Sequence, residues 1–437
     1  MLFPSSFRLH LDITSRSGLI AALMASALAS LPSQILPLTV GAMTDDLGLD
    51  PIRTSWLASA DLVGIALAAS TGFFWVPRLD LYRVVMVGLT AFILGNLMVL
   101  SLLESGSFWA MMGPRLLSGL GAGLVNTAAI ATLARHPNPE RAFGLNLLVV
   151  VLLASCSYTA LPTWIQSGGL PTAFILMIGL GFLIWVQCLW SFPDAKIRAV
   201  TTTFDGKPPP LPWNKTGILV IATFLSSASM MAIWAYTERI GVTAGIDLVT
   251  VGSIMAFGFL LSSSTCFLAS WQGNRYGRRF PLLISAFGML IALSLMGAPA
   301  GPTFLLMFTF GVFTYSSMWN YSIPFKSAMV ASLDPHGRTV ALFVAVSAIA
   351  TAAGPMIGGY IGADGDYQRV LLYSGIGFIG AILTFVIMDR RQLAELKTQV
   401  VERGVEKGVE KLNKETIIKS DCLTNKKGDE VIVPLSI

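Results

Sequence analysis

From Gly18 to Met388 the chain is a succession of apolar runs, each about 20 residues long, the length an α-helix needs to cross roughly 30 Å of hydrocarbon. They lie near residues 18–40, 54–75, 84–103, 108–134, 145–166 and 170–192, then near 216–237, 248–270, 281–298, 302–330, 341–362 and 370–388. A backbone surrounded by lipid must satisfy its own hydrogen bonds, and these runs lack the period of two that a barrel strand would show, so they are read as helices. Only 12% of the residues are charged and 54% are apolar, against roughly 25% charged in an ordinary soluble domain. Such a chain cannot cover itself with polar surface, and lipid must be its solvent. The expected fold class is all-α integral membrane, with twelve transmembrane helices.

The formal net charge is +5 and the pI about 9.0, yet the basic residues stand singly between apolar runs and form no patch with interleaved aromatics. That pattern excludes nucleic acid as a partner and fits an orientation signal instead. With both termini in the cytoplasm, the cytoplasmic loops carry Arg8, Arg16, Arg78, Arg83, Arg135, Arg141, Lys196, Arg198, Lys207, Lys215, Arg275, Arg278, Arg279 and Arg338, fourteen in all, and the other side only Arg53, Arg239 and Arg369. Short loops rich in Lys and Arg resist translocation. A multi-pass protein of the cytoplasmic (inner) membrane is expected, with the sequon Asn214-Lys215-Thr216 on the cytoplasmic side and therefore fortuitous. The first run is too long for a signal-peptide core of about 7–15 residues and is read as a retained span.

The longest internal polar stretch, with Pro208-Pro209-Pro210, separates six spans from six. The expected organisation is an N-terminal six-helix half over 1–192, a cytoplasmic linker over 193–215, a C-terminal six-helix half over 216–389 and a hydrophilic cytoplasmic tail over 390–437. In that tail Val401, Val405 and Val409 recur every four residues beside helix-weakening Gly404 and Gly408. Cys156, Cys188, Cys266 and Cys422 have no metal or redox spacing. His10, His136 and His336 lie in terminal or cytoplasmic segments, and no nucleophile, base or carboxylate constellation appears. No cofactor and no metal are expected, and a membrane-embedded enzyme, a sensor or a channel is a weaker reading than a carrier.

Six spans, a polar loop and six more resemble the major facilitator superfamily, and local motifs carry the resemblance up to Asp389. Asn274-Arg275-Tyr276-Gly277-Arg278-Arg279, between spans eight and nine, is similar to the superfamily's D-R-x-G-R-R gating loop, with Asn in place of Asp. The equivalent loop, Val76 to Arg83, departs from the pattern and offers Asp80 as the acidic member of a gating pair. In span four, Arg115-Leu-Leu-Ser-Gly119-Leu-Gly121-Ala-Gly123 resembles the R-x-x-x-G-x-G-x-G signature, whose glycines let helices approach closely. Gly354-Pro355-Met356-Ile357-Gly358-Gly359 in span eleven is similar to an element that many family exporters carry in span five. Here span five has only Pro162, which favours uptake over export.

The resemblance implies two pseudo-symmetric halves that alternate access to a central cavity lined by spans one, four, seven and ten. Its polar and aromatic candidates are Gln34, Asn126, Trp234, Tyr236, Tyr315, Trp319 and Asn320. Asp61 is the one acid read as lying well inside an apolar run. Counted inward from the same side, Asp61 and Arg115 lie about 12 and about 10.5 Å deep at 1.5 Å per residue, so an ion pair between them is expected, serving either proton coupling or static bracing. Lys326, near the cytoplasmic end of span ten, is expected to snorkel to the headgroups, with attraction of an anionic substrate as the alternative. The partners expected are a small-molecule substrate, the bilayer and protons, with the protein a monomer. The function expected is proton-coupled uptake of an aromatic or weakly anionic metabolite or vitamin, with export by proton antiport as the alternative.

Overall fold

The computed structural model describes residues 15–193, 211–273, 275–334 and 338–391. Most of the expected linker, nearly all of the expected tail, and Asn274 lie outside the described residues. In chain order the helices are α1 (Arg16–Gln34), α2 (Leu36–Leu47), α3 (Pro51–Trp75), α4 (Leu81–Leu102), α5 (Phe108–Leu133), α6 (Pro139–Gly168) and α7 (Pro171–Ser191). They continue with α8 (Trp213–Thr243), α9 (Leu248–Gln272), α10 (Arg279–Met296), α11 (Phe304–Ala331), α12 (Arg338–Ile361) and α13 (Tyr367–Arg391). Because α1 and α2 are two pieces of one span, the total is twelve.

Among the described residues, eleven helices are long and apolar enough to cross a membrane by length and composition alone. The remaining span is α11, whose 28 residues are ample in length. Its hydropathy falls short because Tyr315, Ser316, Ser317, Trp319, Asn320, Tyr321 and Ser322 follow one another closely. The sequence places the end of the seventh span near residue 237, but the helix runs six residues further, to Thr243. That correction brings Glu238 and Arg239 into the helix, where the sequence reading had put Arg239 in a loop.

Packing follows the glycine pattern. In the first half α3 and α4 both lie against α5, while α1 touches α5, α6 and α7; in the second, α10 and α9 lie against α11, and α8 against α12. The halves meet along α3 with α12, α6 with α9, and α2 with α8. Two equivalent spans are capped alike: Asp50 accepts the Arg53 amide at the start of α3 (2.9 Å), and Asp247 accepts the Val249 and Thr250 amides at the start of α9 (3.0 and 3.1 Å). The Thr250 hydroxyl and amide hold the Asp247 carboxyl below the ordinary carboxylate range, so this cap stays charged down to acidic pH. Outward-facing side chains are large and apolar, such as Phe73 (80% exposed) and Trp109 (76% exposed), as lipid contact requires. We call the face where α1 begins the near face, and the face where α2 ends and α3 begins the far face.

Candidate functional site

Proline creates the centre of the site. Pro37 has no N–H to give the Ser33 carbonyl four residues back, and the first span breaks at Ile35 (φ −89°, ψ 9°) between α1 and α2. The freed carbonyls take side-chain donors instead: the Trp234 indole N–H donates to the Ser33 carbonyl (3.1 Å) and the Tyr158 hydroxyl to the Gln34 carbonyl (2.7 Å). Trp234 belongs to the second half, so the broken span of one half is stitched to the other at this point. Tyr158, Trp234 and Phe259 stack edge to face and tilted, with centroids 5.3 to 6.1 Å apart, into an aromatic layer.

On that layer rests a cavity of about 230 Å³ between the halves, walled by Ser33, Gln34, Met231, Trp234, Phe259, Ser262, Ser263, Ser316, Trp319, Asn320 and Thr351, with Leu147, Val150, Val151 and Ile323. No wall residue carries a formal charge. The structure thus brings four expected residues together, Gln34, Trp234, Trp319 and Asn320. The other three stand elsewhere. Asn126 accepts the Ser26 hydroxyl (3.0 Å), tying α5 to α1; Tyr236 donates to the Pro51 carbonyl (3.3 Å) and stacks on Tyr367; Tyr315 is fully buried and donates to the Met230 carbonyl (2.6 Å). Residue type and span number picked these out, but the facing side of each helix depends on a rotation that sequence alone does not give.

Beyond the aromatic layer the molecule is closed. Every residue of α8 from Met231 to Gly241 and of α2 from Leu36 to Met43 is buried, so these two segments form a plug between the halves at the far face. An ion cluster fastens it. The Arg239 guanidinium holds Asp45 of α2 through both terminal nitrogens (2.7 and 2.6 Å) and Glu238 through Nε and a terminal nitrogen (2.8 and 3.0 Å). Glu238 is completely buried. Gly41 makes the room, since a Cβ there would overlap the Glu238 carboxylate. Asp61 is therefore not the one acid inside a span; Glu238 is a second, missed because the span was ended one residue short of it.

Asp61 and Arg115 do meet, with carboxylate and guanidinium 3.3 Å apart and both side chains 1% exposed. The contact joins α3 to α5 inside the first half, and the guanidinium also lies 5.6 Å from the Phe174 ring centroid on α7. Lys326 does not snorkel. It is 4% exposed, donates to the Ser226 hydroxyl (2.8 Å) and lies 5.6 Å from the Phe378 ring centroid.

The family model of the Major Facilitator Superfamily matches residues 20–328 and again 219–424. The chain belongs to the major facilitator superfamily. No curated protein matches it in sequence. Among solved structures it is similar to the nucleoside transporter NupG (13% identity, 85% of this chain and 98% of that one, TM-score 0.67). It is also similar to the inward-open xylose transporter XylE from E. coli (16% identity, 84% and 94%, TM-score 0.63). A third is a bacterial homolog of the human lysosomal transporter Spinster, inward-facing and occupied (12% identity, 87% and 98%, TM-score 0.64). At these identities the likeness is one of fold.

The superfamily motifs are structural parts whose contacts can now be named. Gly277 has φ +67° and turns the loop, Arg275 lies over the Trp271 ring (5.0 Å to the centroid), and Arg278 donates to the Ser332 hydroxyl at the end of α11 (3.0 Å), with Arg279 opening α10. Asp80 caps α4, accepting the Tyr82 amide (3.2 Å), and approaches Arg83 (3.5 Å). Gly354 and Gly358 of the span-eleven element lie against α8 within the second half, and Gly359 lies against Ser55 of α3, so in this superfamily member the element packs α12 onto α8 and only its last glycine faces the other half.

Proposed function

We infer that this superfamily member is a secondary transporter rather than an enzyme. We propose that this one takes up a small ring-bearing solute, uncharged or weakly anionic, across the cytoplasmic membrane by alternating access, driven by an inward proton gradient, with both termini in the cytoplasm. The observation that carries the reading is the uncharged cavity at the broken first span. Two indoles offer faces for a ring, and two amides and several hydroxyls offer hydrogen bonds. The site lies beside the break of the first span, and discontinuous spans are where carriers place their substrates. With the near face cytoplasmic, the far-face plug makes this an inward-facing state, in keeping with the inward-open and inward-facing conformations of the XylE and Spinster-homolog structures.

Proton coupling is assigned to Asp61 with Arg115. A buried pair broken by losing one partner costs about 3–5 kcal/mol, so proton arrival at Asp61 is a strong perturbation of the α3–α5 contact, and α3 also bears on α12 of the other half. The test is accumulation in proteoliposomes of a labelled panel of ring-bearing acids, vitamins, sugars and cationic dyes under an imposed inward proton gradient. Uptake of a ring-bearing class that collapses with an uncoupler, and that Asp61→Asn converts to gradient-independent equilibration, is expected. Gradient-driven loss of preloaded dye instead makes the protein an exporter and overturns the direction.

A further inference from the structure

Lys326 is a basic side chain in the interior of the second half with no carboxylate among its described partners. Its ammonium has three donors, and one is taken by Ser226, with the Phe378 ring beside it. Every other strongly buried cation in the described spans has an acid: Arg115 has Asp61, and Arg239 has Asp45 and Glu238. An ammonium kept out of water without its opposite charge is costly, and where a protein does not supply the counter-charge, a ligand can.

The position favours a ligand. Ser316, Trp319, Asn320 and Ile323 of α11 line the cavity, and Lys326 follows Ile323 by one helical turn, at the edge of the same stripe. Its flexible stem gives the ammonium several ångströms of reach from Ser226 toward the cavity. Neither the cavity wall nor Lys326's described neighbours hold a competing acid.

We propose that Lys326 is the electrostatic partner of the transported solute, and that this solute is a small organic monoanion whose ring rests between Trp234 and Trp319 while its carboxylate meets the ammonium. This deepens the reading of the cavity as a site for a ring-bearing solute and rests on it. In transport terms, the cation selects carboxylates over their uncharged isosteres.

The experiment uses matched pairs, benzoate with benzamide and pyridine-3-carboxylate with pyridine-3-carboxamide, as competitors of uptake in proteoliposomes and as thermal stabilisers of the purified full-length protein. Carboxylates are expected to act at concentrations at least about tenfold lower than their amides. Lys326→Gln should erase that preference, and Lys326→Arg should keep part of it. Equal action by both members of each pair, or a preference that survives Lys326→Gln, overturns the role of Lys326 and leaves the ring-bearing reading standing. Action by neither member of either pair overturns both. Because the stabilisation arm needs only the wild-type protein, a Lys326 variant that fails to fold does not remove the test.

Discussion

The close approach of α3 to α5 is decided by single atoms. A Cβ at Gly119 would overlap the carbonyl oxygen of Asp61, whereas one at Gly144 on α6 meets nothing within 4 Å. Gly119→Ala should therefore destabilise the protein by about 1–3 kcal/mol or more through overpacking, and Gly144→Ala should be neutral or stabilising by up to about 1 kcal/mol. Thermal unfolding in detergent, followed by loss of monodisperse protein, separates the two. Gly119 and the Asp61–Arg115 pair were legible in the sequence, because glycine spacing and depth along a helix are one-dimensional quantities. The burial of Lys326 was not. Four carbons of stem allow either a headgroup or an interior partner, and only the neighbouring Ser226 and Phe378, contributed by distant segments, decide between them.

At the scale of the element, Pro32 and Pro37 flank Gln34 in the sequence, but the first span is read there as one continuous run and the break at Ile35 is a finding of the structure. Its partner could not be read either, since Trp234 lies 201 residues from Ser33. Pro37→Ala restores an amide that competes for the Ser33 carbonyl and should mend α1 to α2 into one helix. Trp234→Phe removes the competing donor, a loss of about 0.5–1.5 kcal/mol. Both should weaken the stitch between the halves and lower apparent affinity for the transported solute. In a cycle, the double variant should cost less than the sum of the two, and additivity of the two effects in uptake would show that the carbonyl is not shared. Span boundaries were readable where apolar runs end abruptly. They failed at α8, whose last turns are charged yet buried, because burial by the opposite half leaves no mark on local hydropathy.

For the whole molecule, alternating access requires the far-face plug to part, and the Arg239–Asp45 contact to break each time it does. Glu238 neutralises Arg239 from the same helix, so that pair has no need to break when the plug parts. Asp45→Asn should therefore shift the population toward the state open at the far face, by up to about tenfold for a contact worth about 1.4 kcal/mol. With the exposed Cys156 replaced, a Thr39→Cys probe, at a position 2% exposed in the plug, should react faster with a membrane-impermeant thiol reagent from that side when Asp45→Asn is added. An unchanged rate would mean that the ion cluster braces the plug without governing it. The composition of α11 carries a further consequence, for biogenesis. The residues that let this span face a solute make it the least apolar of the twelve, whereas its packed neighbour α10 is apolar enough by length and composition to cross a membrane. The two should leave the translocon as a hairpin, and a nascent chain stalled between them waits for its other half.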